Sequence, residues 1–323
     1  MAPRGPEETA VALSPDLFKR LSRLNRQRLS EQVTTGDRVG SADTAASQAG
    51  AADQTDLCLE RLMPGRACEA ADGCFYRIRR GAEDLWALPQ GVPEGRGETP
   101  DGDLLARYRR TLFGAARASR EEDLHESVRP LVTADPARIV YLDIETCGLA
   151  GEPIFLVGLM RYRDDGLVVE QFLARDYSEE RPMLAAVRDE LGEASCLVTF
   201  NGKAFDVPTV EMRSVAWGLF ASLRMPPHVD LLHEARRRWR DEVPNCRLQT
   251  LEQLICGRRR MGDIPGCDIP AAYHEFVRAH QGDDGARRSR SLRRLQTILH
   301  HTALDLITMA ELVVHILATR APR

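Results

Sequence analysis

VYLDIETCGL, residues 140–149, is the stretch on which the fold turns. With Arg138 and Ile139 in front it reads RIVYLDIE, a short apolar run that closes on acids. Such a run is the mark of a buried strand. Alternate strand residues share a face, so Asp143 and Glu145 point to one side. Two carboxylates held together repel each other unless they are protonated or share a cation. Hard oxygen ligands of this kind suit Mg²⁺ or Mn²⁺. Standing alone, the D-x-E pattern is more often a strand end with two solvated acids.

Two further segments bear on that choice. In TFNGKAFDVP, residues 199–208, an apolar strand runs into a polar turn, and Asp206 sits where the next helix begins. Asp is favoured as a helix N-cap, which is the plainer explanation of Asp206 by itself. Asn201 and Lys203 share the turn, and Lys203 is one of only two lysines in the chain, a hint of phosphate contact. In LHHTALDLITMAEL, residues 299–312, Asp305 interrupts an apolar helix. An acid there is costly to bury without a partner, unless it lies on an exposed stripe. His301, four residues earlier, shares the helical face of Asp305 at about 40°, whereas His300 is about 140° away. A helix that began only at Thr302 would instead let His300 swing in.

Outward from these segments, IFLVGLMRY and LVVEQFLAR read as strands around a turn at Asp164-Asp165-Gly166. A helix over 179–191, the strand SCLVTFN, a helix from about Val207, a possible strand at HVDLL and helical LQTLEQLI follow. A long helix over about 293–317 closes the chain. Three meandering strands followed by strand–helix alternation predict an α/β fold, a mixed sheet covered by helices. Upstream, PGRACEAADGCFYRI has a turn at Asp72-Gly73 and predicts a small β element, with a helix over 103–118. Residues 14–32 predict a short amphipathic helix with Ser14 as N-cap and Pro15 at its first position. A small, polar linker follows. The expected division is 1–55 for helix and linker, 56–135 for a small β/α region, and 136–320 for the main domain.

The chain has 323 residues, 43% apolar and 28% charged, the balance of an ordinary globular protein. No apolar run approaches the ~20 residues of a bilayer span. The eight cysteines form no C-x-x-C pair, which argues against zinc, and several sit in apolar runs. The expectation is a cytoplasmic protein with no membrane partner. Net charge is −4, so the whole chain is not a basic nucleic-acid binder. Arginines gather at 236–240, 258–260 and 287–294, either a phosphate-facing surface or a solvated face.

The order D-x-E, then F-D, then H-x-x-x-D resembles the three motifs of the DEDD 3′–5′ exonuclease superfamily. The downstream text PHVDLLHEARRRWRDEVPNCRLQTLEQLICGRRRMGDIPGCDIPAAYHEF and the upstream PGRACEAADGCFYRI are similar to YprB-type ribonuclease H-like proteins. The resemblance implies a five- or six-stranded RNase H-like mixed sheet flanked by helices. It implies two Mg²⁺ or Mn²⁺ ions, with Asp143 bridging them, Glu145 and Asp305 completing the first, and Asp206 holding the second. His301 would be the general base. Leu149 would wedge against the terminal base, with Thr146, Asn201 and Lys203 contacting single-stranded DNA or RNA. Thr302 departs from the asparagine usual in that family. Two other functions fit the same fold: a structure-selective endonuclease and a non-catalytic nucleic-acid-binding module.

Overall fold

A computed structural model describes residues 58–70, 72–86, 104–115, 117–148, 151–219, 225–260 and 262–319. The amphipathic helix and linker expected in 1–55, and Leu149, lie outside the described residues.

Seven strands form one sheet: β1 (Gly65–Ala70), β2 (Gly73–Gly81), β3 (Ile139–Thr146), β4 (Ile154–Arg163), β5 (Gly166–Leu173), β6 (Cys196–Thr199) and β7 (His228–Asp230). Their order is β1-β2-β5-β4-β3-β6-β7. The β3–β4–β5 meander is antiparallel, whereas β6 and β7 run parallel to β3. The fold is therefore the expected mixed sheet. It has seven strands instead of five or six because the β1–β2 hairpin pairs with β5 through Tyr76↔Leu173 to Gly81↔Val168. The β4–β5 turn puts Asp164 and Asp165 at positive φ, 51° and 62°, the double left-handed geometry that matches strand twist in a two-residue hairpin.

Helices of seven residues or more cover the sheet: α1 (Leu104–Leu112), α2 (Glu180–Gly192), α3 (Asp206–Ala216), α4 (Leu231–Trp239), α5 (Leu248–Leu254), α6 (Ile269–His280) and α7 (Gly285–Ala318). Along β3, Val140, Leu142 and Ile144 enter one apolar cluster, with Met183, Tyr273 and Phe276. Ile139 and Tyr141 enter the other, with Leu306, Met309 and Leu312 of α7. Asp143 and Glu145 share the parity of Tyr141, so they lie on the side that α7 covers.

The helix α7 begins earlier than the sequence predicts, at Gly285, because the Asp284 side chain accepts the Arg287 N–H and caps it. It contains an 18-residue window of mean hydropathy 1.4, long and apolar enough to cross a membrane by composition, contrary to the sequence expectation. That window is 83% buried within the protein, so α7 is a core helix. It lies close against the sheet at Gly158, which pairs with Asp143. A Cβ at Gly158 would stand 2.6 Å from Thr302 Cγ2 and 3.0 Å from Leu306 Cδ1. Glycine at this position is what lets the Asp305-bearing helix lie against the strand beside Asp143.

Candidate active site

The site forms where the parallel strands end. The strand β6 pairs with β3 only as far as Tyr141↔Val198, while β3 continues to Thr146. Beyond that point the edge of β3 is open, in the usual place for ligands in sheets of this kind, at the carboxyl ends of the strands. Asp143 and Glu145 lie on this free length, both half-buried, and Asp143 lines a cleft.

Asp206 is the first residue of α3 and only 6% exposed. The turn before it is tight. Asn201 has φ of 65°, and a Cβ on Gly202 would meet Thr199 Oγ1 at 2.4 Å. Asp230, at the end of β7, organises this turn. Its carboxylate accepts the backbone N–H groups of Asn201 at 2.8 Å, Lys203 at 3.1 Å and Leu232 at 3.0 Å. Sequence reasoning missed Asp230, whose partners lie 29 and 27 residues upstream.

Asp305 and His301 come from α7, which is helical through both histidines. His301 Nε2 stands 3.4 Å from Asp305 Oδ2, and its Nδ1 is 2.7 Å from Asp263 Oδ1. The structure thus brings His301 to the acids. His300, round the helix, has its pKa lowered by burial and by the charge of Arg80, with Asp263 opposing. Thr302, the departure from the family pattern, donates from Oγ1 to Glu145 Oε1 at 3.3 Å.

The electrostatics are those of crowded acids. Burial pushes Asp143 well above the usual carboxylate range, and the charges of Asp305, Glu145 and Asp206 add to it. Burial lifts Glu145 to about 8, partly opposed by the His301 charge. Asp206 rises to about 7, again by burial first, against hydrogen bonds from the backbone of Asp206 and Ile144. Burial disfavours the charged His301 ring, but the Asp263 hydrogen bond and the neighbouring carboxylates outweigh it and raise the ring to about 8. Asp143, Glu145 and Asp206 are thus each raised by burial first and by neighbouring carboxylate charge as well.

Arg260 is the local counter-charge, although the sequence reading left the 258–260 arginines as either a phosphate-facing surface or a solvated face. Its guanidinium pairs with Asp305, with Glu252 at 2.5 Å and with Asp263 at 3.3 Å, and the side chain is 6% exposed. Arg258 is likewise tied to Glu252 at 3.0 Å and Thr308 at 2.6 Å. These two arginines are structural ion-pair partners, not a free cationic face. Among the described residues, no three carboxylate, histidine or cysteine side chains close on a single point, and Asp305 contacts Arg260 and His301.

The donor set nonetheless suits a hard divalent cation. It is all carboxylate oxygen, and Asp143 Oδ2 is buried with no hydrogen-bond partner. Of the other expected contacts, Asn201 lines a cleft of about 470 Å³ together with Asp143 and Asp305. Lys203 is exposed at the turn. Thr146 is 6% exposed and donates its hydroxyl to the Gly148 carbonyl at 2.6 Å, so its side chain serves the turn after β3. His274 of α6 supports the same turn, its Nε2 lying 3.2 Å from the Cys147 carbonyl.

Comparison with known proteins agrees with this architecture. The sequence profile of the RNase_H superfamily matches residues 140–317, from β3 to the end of α7. The chain is 34% identical over 181 residues to the uncharacterized protein YprB of Bacillus subtilis, across 55% of this chain and 41% of that one. It thus spans less than half the length of that relative. A family B DNA polymerase from the archaeon Pyrobaculum calidifontis overlaps 54% of this chain and 24% of its own, at 18% identity and a TM-score of 0.40. With more than half its length matched by the profile, and with the expected mixed sheet, the chain belongs to the RNase_H superfamily and is a YprB-type member of it.

Proposed function

We propose that the protein is a metal-dependent 3′–5′ exonuclease that hydrolyses phosphodiester bonds of single-stranded DNA or RNA. The observation that carries this reading is the buried, unpartnered Asp143 Oδ2, with Glu145, Asp206 and Asp305 near enough for their charges to raise its carboxyl further. Such a cluster is electrostatically costly unless cations complete it. Asp143, Glu145, Asp206 and Asp305 would hold two Mg²⁺ or Mn²⁺ ions. Bound ions of this class supply Lewis acidity and neutralise charge on the phosphodiester.

The chain's own residues do the rest. Asp263 receives the Nδ1–H of His301 and fixes the tautomer, which leaves Nε2 directed toward Asp305 as a base. His301 takes the proton of the attacking water, and the departing product is a nucleoside 5′-monophosphate. Asn201, held by Asp230 in its left-handed turn, faces the strand from the cleft wall. The catalytic unit is residues 136–320, with 56–135 supplying the edge hairpin and α1. All eight cysteines are free thiols, in keeping with a cytoplasmic location.

The test is purified protein with linear and circular single strands of DNA and RNA, in Mg²⁺, Mn²⁺ or chelator. Shortening of linear strands only, abolished by chelator, is expected. Cutting of circles would make it an endonuclease, and binding without cutting would make it the non-catalytic module.

A further inference from the structure

Beside the acids, the cleft has a second wall that the proposed chemistry does not use. It is formed by Arg236 of α4 and by Asn245 and Arg247 in the segment between α4 and α5, and Phe200 lines the same cleft. The neighbouring arginines are consumed by acids. Arg237 and Arg238 both pair with Glu234, and Arg258 and Arg260 both pair with Glu252. Arg236 and Arg247 are different. Both are exposed, and neither has an ion pair or a side-chain hydrogen bond within the described residues. They line the same cleft as Asp143 and Asp305 yet are not bonded to them. Asn245 Oδ1 accepts the Arg247 N–H at 3.1 Å and the Thr250 hydroxyl at 2.8 Å, which fixes this wall and leaves Nδ2 as a donor.

We propose that Arg236 and Arg247 form a phosphate-binding subsite, which holds the backbone of a single strand at the nucleotide adjoining the scissile bond. The inference rests on the nuclease reading and specifies its substrate contact. A phosphodiester needs cationic donors on the side away from the acids, and two unpaired guanidiniums supply planar, multi-donor recognition. The volume of about 470 Å³ suits one nucleotide. Phe200 and the apolar Leu232 and Leu248 offer a surface for a base without reading its edge, as sequence-tolerant single-strand sites do. The Arg287–Arg290 stretch is a poor rival. It lies about 23–27 Å along α7 from Asp305, at ~1.5 Å per residue.

The experiment is fluorescence anisotropy of a labelled single-stranded oligonucleotide, across a salt series, with the full chain carrying Asp143→Asn so that cleavage is silenced. Arg236→Gln and Arg247→Gln are each expected to weaken binding about tenfold, and to lower the log–log salt slope by about 0.7. Arg236→Lys and Arg247→Lys should keep the slope, and Arg287→Gln with Arg290→Gln should stay within about twofold of the parent. Parent-like affinity and slope in both glutamine variants, with the oligonucleotide still bound, would overturn the subsite and leave the nuclease reading standing. A parent that binds no single strand at all would sink both.

Discussion

Replacing Asp206 by asparagine should make the metal-free protein more stable at alkaline pH, although it damages the proposed metal site. Asp206 is 6% exposed, and its carboxyl rises from the ordinary 3.8 to about 7 in the folded chain. A folded value above the unfolded one stabilises only while the group keeps its proton. That stabilisation is complete below about pH 4 and lost as pH climbs through 7. The difference, 7 minus 3.8, is about 3, which at 1.36 kcal/mol each amounts to about 4 kcal/mol. Roughly 2–3 kcal/mol of it falls between pH 5 and pH 8. Asparagine removes this dependence and can still accept from the backbone amides, and Asp143 and Glu145 lose a like charge. The lost helix N-terminal charge costs about 0.3–1 kcal/mol in return. For a chain of this size, about 2–4 °C accompanies each kcal/mol, so the melting temperature at pH 8 in chelator should rise by about 5–10 °C. The gap should shrink toward pH 5. Saturating Mn²⁺ should reverse the order, because ligand bound only to the folded state stabilises the wild type by about 4 kcal/mol at about a thousandfold excess over Kd. Melting curves at pH 5, 6.5 and 8, with chelator and with Mn²⁺, decide the matter. A variant that melts at or below the wild type at pH 8 in chelator would refute the reasoning.

Three further outcomes follow from the geometry. His301→Ala should lower the cleavage rate by roughly 10²–10⁴ and flatten the acidic limb of the pH–rate profile, while His300→Ala stays within a few-fold. Because His301 sits at about 8 before metal loading, the wild-type rate should climb with pH below that value as the ring loses its proton, and the opposite ranking of the two variants would transfer the role to His300. Asp230→Ala strips three backbone N–H groups of their acceptor and should destabilise by at least about 2 kcal/mol, read as a lower denaturation midpoint. Gly158→Ala should cost about 1–3 kcal/mol through the clash with Thr302 Cγ2, and Thr302→Ser, which removes that methyl, should recover most of it.

Features set by local chemistry were legible in the sequence. The left-handed pair Asp164-Asp165 announces a hairpin because few other residues tolerate that geometry. The four carboxylates could be assembled from three separate motifs, and helical periodicity placed His301 on the face of Asp305, with His300 left open for a helix beginning at Thr302; α7 is continuous there. What stayed hidden depends on partners distant along the chain. Asp263 reaches His301 across 38 residues, and Arg260 reaches Asp305 across 45. An arginine cluster in sequence carries no mark of which guanidiniums meet buried acids, so 258–260 and 236–238 looked alike although only some of their members are free. Helix α6 also escaped notice. Its Tyr273 stacks on Phe155 at 3.9 Å and so braces the strand beside β3. Its Pro270, near the start, and the small residues Ala271 and Ala272 blur the apolar period that would reveal it.

The central claim is that the four carboxylates act as one metal-dependent hydrolytic site. It is tested most directly by a time course on a 5′-labelled single strand, with wild type and Asp143→Ala side by side in Mg²⁺ and Mn²⁺, both checked for fold by circular dichroism. The wild type should shorten the strand stepwise from its 3′ end and stop on chelation. Asp143→Ala should be slower by about 10³-fold or more, the worth of several kcal/mol of transition-state stabilisation. Equal cleavage by the two proteins, or none by the wild type with either metal, would contradict it.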